Sequence, residues 1–246
     1  MSDHFSKISS AYHKYRPVYP NTFFEFLFDQ VKNTDLALDC GTGNGQVAQF
    51  LAERFDKVYA TDISLDQLSI ADYNRKVEYL QFPAEDLPFA DDVFDLVAVG
   101  QAAHWFDLEK FYSEVKRVCK NGALIAIFGY GDLEINQEDL NSLYKGFRES
   151  VKDNFPKEEE WVQKKYEGIP FPFEEISIEE EFSISSLWDI EHLSGYISTW
   201  PGIQNIITDK TNPLNAFKEL FQQTQGGKQD FRVTFPMFVK IGRIEK

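Results

Sequence analysis

The stretch LDCGTGNG, residues 38–45, decides the fold. It joins a short apolar run, LALDC (36–40), to GQVAQFLAERF (45–55), in which Val47, Phe50, Leu51 and Phe55 recur at helical spacing. A strand that breaks into glycines and passes directly into a helix is the opening half of a βαβ unit. Gly41, Gly43 and Gly45 let the backbone turn sharply and approach a ligand with no Cβ in the way, beside the free N–H groups of the helix's first turn. KVYATD (57–62) reads as the next strand and places Asp62 at its end, 21 residues after Gly41. In doubly wound folds an acid at that position hydrogen-bonds a ribose diol. The glycines and the acid together point to a nucleoside-type ligand.

Working outward, Ser64 with Gln67 forms a capping-box start for a helix expected to run to about Arg75. VEYLQF (77–82), FDLVAVG (94–100) and ALIAIFG (123–129) are three further apolar strands. Between the last two, Asp107 caps a helix whose Leu108, Phe111, Tyr112, Val115, Val118 and Cys119 share one face. Five apolar strands alternating with helices predict an α/β chain, a Rossmann-like, doubly wound and mostly parallel sheet covered on both faces. The last third differs. A helix is expected near 136–152, then the Pro-, Phe- and charge-rich NFPKEEEWVQKKYEGIPFPFEE (154–175). ISIEEEFSIS (176–185) and FRVTFPMFVKIGRIE (231–245) read as strands, with helices near 187–199 and 213–223 between them. Residues 153–225 are expected to lie partly over the carboxyl edge of the sheet as a helical cap inserted before the last strand.

The 246 residues carry 25 Lys+Arg against 40 Asp+Glu, and residues 133–191 alone hold 16 acidic and 6 basic side chains. Such a field repels DNA, RNA and anionic lipid, so no nucleic-acid partner is expected. No apolar run approaches the ~18 residues that span a bilayer, and MSDHFSKISSAYHKY (1–15) has no apolar signal core. Cys40 and Cys119 form neither a disulfide framework nor a zinc spacing, and no metal site is evident. The expectation is a cytoplasmic protein without a membrane partner, monomeric by default.

Two departures refine the ligand. A dinucleotide fingerprint places its third glycine at position 46, which is Gln46, so the third glycine comes one residue early. Asp39, just before the turn, is poorly placed for a pyrophosphate but well placed for an amino acid's ammonium. Both favour a ribose carrying a cationic amino-acid tail, with an NAD-dependent oxidoreductase as the competing reading.

LDCGTGNG, Asp62 and QFPAEDLPFADDVFDLV (81–97) together resemble the motifs of the class I S-adenosylmethionine-dependent methyltransferases. The resemblance covers about residues 1–130. It implies S-adenosylmethionine as cofactor and S-adenosylhomocysteine as product, with Asp39 near the methionine moiety, Asp62 on the ribose, Ala84 and Glu85 beside the adenine, and Asp95 near the fourth strand. FSKISSAYHKYRPVYP (5–20), GQAAHWFDLEKFYSEVKRVCKNG (100–122) and YISTW (196–200) are similar to the trans-aconitate methyltransferase-like group. On that likeness residues 1–35 form an N-terminal cover, 36–130 the cofactor-binding core, and 131–246 the cap elements and final strands of one methyltransferase domain. Tyr12 and Arg16 would fold over the cofactor, Arg16 pairing with its carboxylate, and Gln101, His104 and Trp105 would reach the pocket. Tyr19, Tyr130, Tyr196 and Trp200 are candidate acceptor contacts, with Arg148 beside them.

A carboxylate acceptor needs only donors that orient it, whereas a hydroxyl or amine needs a base, and His104 could serve as either. The expected acceptor is a small molecule, first a carboxylate oxygen as in trans-aconitate. The acidic chain shows no basic cluster in the cap to collect such an anion, and its 23 Phe would equally suit an apolar acceptor. An RNA or protein methyltransferase would share the same cofactor residues.

Overall fold

Strand β1 (Leu36–Cys40) is buried on both faces because it runs through the middle of the sheet. It pairs in parallel with β2 (Lys57–Asp62) on one side and β4 (Phe94–Gly100) on the other. β3 (Val77–Gln81) lies outside β2, and β5 (Cys119–Tyr130) outside β4, both parallel. The computed structural model describes residues 14–207, 212–227 and 230–246.

Beyond β5 lies β9 (Phe231–Arg243), antiparallel to it, giving the order β3-β2-β1-β4-β5-β9-β6. β6 (Glu134–Ile135) extends the β5 side of β9, while β7 (Glu174–Glu175) and β8 (Ser183–Trp188) pair along its other edge. The chain runs outward from β1 to β3, then crosses back to β4 on the opposite flank of β1. Adjacent loops at the carboxyl ends of β1 and β4 therefore diverge, and a crevice opens between them.

Side-chain alternation along β1 assigns the two helical layers. Ala37 points into a core with Val47, Ala48 and Leu51 of α2 (Gln46–Arg54) and Phe23, Phe24 and Leu27 of α1 (Asn21–Gln30). Leu38 and Cys40 point into a second core with Phe111, Val115 and Val118 of α4 (Leu108–Val118). Asp107 caps α4 by accepting from the Lys110 amide. Each fully buried Phe or Val contributes about 1.5–3 kcal/mol through removal from water.

The cap comprises α5 (Glu138–Val151), α6 (Glu159–Gln163), α7 (Ile190–Ser198), α8 (Pro201–Gln204) and α9 (Pro213–Gln225). Its Tyr144, Tyr196, Trp200, Phe217 and Phe221 are continuous with the α1–α2 core, whereas Val162, Tyr166 and Ile169 join the α4 core.

Three expectations need correction. The helix begun by Ser64 is only α3 (Leu65–Leu68), although Ser64 Oγ does accept from the Gln67 amide at 3.3 Å. Leu65 is 59% and Tyr73 90% exposed, so the segment has no apolar stripe to bury and nothing sustains further turns. ISIEEEFSIS is not one strand: β7 ends just before it, and β8 takes in only its last three residues, Ser183–Ser185. Between the two strands the chain touches β9 only at its ends, through Ile176 N to Ile241 O and Met237 N to Phe182 O, at 2.8 and 2.9 Å. Leu187 and Trp188 belong to β8, so the helix expected from 187 starts at Ile190, where Asp189 caps it through the His192 amide at 2.7 Å.

Candidate active site

At the crevice the β1–α2 turn is closed by Gly41 N and Thr42 N donating to Thr61 O at 2.8 and 2.9 Å. Gly41 has φ +73°, and a Cβ there would sit 2.6 Å from the Ala102 Cβ, so two loops can meet only over a glycine. Gly43 differs. It has φ +55°, its N–H donates to Asp62 Oδ2 at 2.8 Å, and a Cβ there would project into the cleft. Gly45, in the left-handed conformation ahead of α2, packs under Tyr79 and lies outside the cleft lining.

The cleft encloses about 1110 Å³ including its open mouth, and is lined by Asp39, Gly41, Gly43, Asp62, Ala84 and Gln101 among others. Asp62 is held by two amides, Gly43 N on Oδ2 and Ser64 N on Oδ1 at 2.9 Å. Asp39 is fully buried. Its Oδ2 accepts from Thr42 Oγ1 at 2.5 Å, and its Oδ1 has no hydrogen-bond partner among the described residues. Burial pushes its carboxyl up to about 7; the Thr42 hydroxyl and the Ala48 amide oppose this, and the Asp62 charge adds to it.

Glu85 does not line the cleft: its Oε1 accepts from the Asp107 amide at 2.7 Å, at the start of α4. Asp95 ties β4 to its neighbours, accepting from Leu36 N and pairing with Lys120 Nζ at 2.8 Å. Tyr12 lies outside the described residues. Sequence reasoning passed over Thr42, Ile63, Gln67, Phe82 and Phe106, which also line the cleft. For Thr42 and Ile63 the signal was there, each standing beside a singled-out residue.

A second pocket, of about 580 Å³, opens under the cap. The two compartments share Arg16, Gln101, Trp105 and Tyr130. Gln101 has φ +57°, and its carboxamide bridges to the Tyr130 main chain in both directions, at 2.9 and 3.3 Å, extending the β4–β5 ladder. Arg16 Nη1 donates to Tyr130 Oη at 3.3 Å and Nη2 to Thr199 O at 3.4 Å, with the guanidinium 5.3 Å from the Tyr196 ring centre. Tyr19 lines only the first compartment, whereas His104, Tyr196 and Trp200 line only the second.

Arg148 stands in that second wall, its Nε 2.9 Å from Asp132 Oδ2 and its guanidinium against Trp200 and Phe155. Arg16, from outside the cap, and Arg148 thus meet in one pocket, together with the Asp132 carboxylate that pairs with Arg148. Glu159 faces them; burial raises its carboxyl, opposed by both arginines. Buried His104 bonds through Nδ1 to Tyr166 Oη at 2.7 Å, and burial pushes its pKa down to about 3. A histidine neutral throughout the working range is a weak proton acceptor that still keeps one N–H to donate.

Residues 38–127 match the family model described as a methyltransferase domain. Over 252 residues the chain is 30% identical to a protein of Dictyostelium discoideum provisionally named a methyltransferase, covering 99% of this chain and 95% of that one. The chain belongs to the class I S-adenosylmethionine-dependent methyltransferases. A solved structure from Anaeromyxobacter dehalogenans, provisionally named a type II methyltransferase, superposes with TM-score 0.84 at 31% identity, covering 94% of this chain and 98% of that one. A Saccharomyces cerevisiae relative whose name specifies S-adenosylmethionine is 28% identical over 148 residues, 56% of this chain and 51% of its own length.

Its cofactor is S-adenosylmethionine, and the oxidoreductase reading falls. This methyltransferase's cleft fits that group on its own chemistry: the buried Asp39 Oδ1 needs a donor, and the space over Gly43 admits close backbone approach. Among the described residues no cluster could hold a metal ion, and no helix is long and apolar enough to cross a membrane.

Proposed function

We propose that this methyltransferase acts on a small-molecule carboxylate, in the manner of the trans-aconitate-like group, as a cytoplasmic monomer. The observation that carries the reading is the pair of adjoining compartments sharing Arg16, Gln101, Trp105 and Tyr130, the second bearing Arg16 and Arg148. In this assignment residues 36–130 hold the cofactor, residues up to 35 cover it, and the elements after 130 enclose the acceptor.

Bound in the cleft, S-adenosylmethionine supplies a sulfonium methyl group: an acceptor oxygen lone pair forms the new carbon–oxygen bond as the carbon–sulfur bond breaks, its electron pair remaining on sulfur. Asp39 would receive the ammonium, Asp62 the ribose hydroxyls, and Ala84 the edge of the adenine. Arg16 stands at the junction, able to neutralise a carboxylate on either side. Arg148 and His104 would orient the acceptor, with Tyr130, Tyr196, Trp105 and Trp200 as walls that exclude water. Holding the oxygen in line behind the methyl at roughly 3–3.5 Å is the main demand on the protein. Charge is dispersed as an anion meets a cation, so a dry wall helps.

The test is a calorimetric titration with S-adenosylhomocysteine, NAD as matched control, followed by an acceptor screen with methyl-labelled cofactor, small carboxylic acids first. Label appearing in a low-mass, base-labile ester supports the reading. Label that enters only RNA or protein overturns it.

A further inference from the structure

The His104–Tyr166 contact lies behind the acceptor pocket and no part of the reading above uses Tyr166. His104 lines the pocket and Tyr166 does not, so the imidazole turns Nδ1 toward the core and its Nε2 edge toward the cavity. Nε2 has no hydrogen bond within the protein among the described residues.

Which nitrogen carries the proton follows from what surrounds the phenol. Tyr166 is buried, and among the described residues its Oη has one hydrogen-bond partner, His104 Nδ1. A phenol oxygen has two lone pairs and one proton. With His104 Nδ1 as the one partner, an Nδ1–H donating to the oxygen would leave the phenol proton stranded in a buried site. The arrangement is satisfied when Tyr166 donates to an unprotonated Nδ1, which leaves the proton of the neutral ring on Nε2.

The backbone is strained to deliver this hydroxyl. Lys165 and Tyr166 have φ +52° and +57°, consecutive left-handed residues with side chains, closed by Tyr166 N donating to Trp161 O at 2.8 Å. In that region the Cβ of a bulky residue crowds the following carbonyl oxygen, so the conformation is disfavoured. Such strain persists where surrounding structure demands it, commonly at functional sites.

We propose that Tyr166 is a positioning residue that locks His104 in its Nε2–H form, so that His104 is a donor to the acceptor and not a base. The inference rests on the acceptor assignment above and narrows it. A ring whose cavity-facing nitrogen is protonated can hold an oxygen that arrives as an anion, but it cannot take a proton from an alcohol, phenol or amine. The charged side chains facing the same pocket are Arg16, Arg148, Asp132 and Glu159, with Arg148 paired to Asp132. In the transfer described above no proton changes place, which is the chemistry a donor-only histidine permits.

The decisive measurement needs no acceptor. Protein labelled with ¹⁵N in its four histidines is followed by long-range proton–nitrogen correlation from pH 5 to 9, His104 being identified by its loss in His104→Gln. The expected signature is an Nε2–H tautomer that does not titrate over that range. An Nδ1–H pattern, or titration near pH 6.5, overturns the proposal. Tyr166→Phe should release the lock, giving mixed tautomers, leave S-adenosylhomocysteine affinity unchanged, and lower kcat/KM for the acceptor about tenfold. A retained Nε2–H tautomer in Tyr166→Phe also overturns it. If the histidine signature holds while label enters only alcohols or amines, the carboxylate assignment has failed and the tautomer has not.

Discussion

Replacing Asp39 by asparagine separates two things its carboxylate does, because one should improve and the other collapse. In the free protein burial lifts the carboxyl from 3.8 to about 7. At about 1.4 kcal/mol per pH unit the difference amounts to about 4 kcal/mol. The sign follows from linkage: the folded chain holds this proton more tightly than the unfolded chain. The group's contribution is therefore fully present below about pH 4, declines as pH rises toward 7, and is absent above it. Asparagine has the same shape and no such proton. Relative to wild type, Asp39→Asn should gain about 3 kcal/mol between pH 5 and pH 8, or about 6–12 °C in Tm for a chain of this size. Urea unfolding of both proteins at pH 5, 6, 7 and 8, without ligand, reads this difference free of every other titrating group. Binding should move oppositely. Losing a charge-assisted hydrogen bond to an ammonium costs about 1.5–3 kcal/mol, so affinity for S-adenosylhomocysteine at pH 8 should fall roughly 10–150-fold. Wild-type binding at pH 6 should also release close to one proton, seen as a dependence of calorimetric heat on buffer ionisation enthalpy. Stability curves of the two proteins that run parallel across pH would refute the burial argument, and undiminished affinity would refute the ammonium assignment.

Asp62→Ala should lower affinity for S-adenosylhomocysteine by a similar 10–150-fold, since it removes the acceptors proposed for the ribose and frees the Gly43 and Ser64 amides; calorimetry giving the wild-type constant would sink that role. Gly41→Ala forces a Cβ against Ala102 at φ +73° and should cost about 2–4 kcal/mol, seen as a clear drop in the thermal midpoint. Gly195→Ala would place a methyl 2.5 Å from the Tyr15 ring, pushing the chain that carries Arg16 off α7. We expect several-fold weaker cofactor binding and faster proteolysis near Arg16, with the thermal midpoint little changed.

The cofactor half was largely legible because its signals are short-range. A strand, a glycine turn and a helix lie within twenty residues, and the caps of Ser64 and Asp107 bond the amides three positions on, as their spacing implies. Where reading failed, a local signal had no tertiary support. Ser64 begins a helix correctly, but nothing apolar follows to be buried. In ISIEEEFSIS the alternation is that of a strand, yet the partner edge of β9 is taken up at Glu174–Glu175 and again from Ser183, and the chain between crosses over.

By itself the sequence determined the order of strands and helices in the cofactor half, the glycine turn at the switch of direction and the acid at the end of the second strand. Apolar periodicity reports which face each element buries, and that is settled within a few residues. Only the tertiary structure decided the acceptor side. Arg16 and Arg148 stand 132 positions apart and His104 and Tyr166 62 apart. Asp39 becomes half-titrated near neutral pH only because the packed sheet strips it of water. Desolvation and the supply of hydrogen-bond partners belong to the whole packing, and no local pattern encodes them.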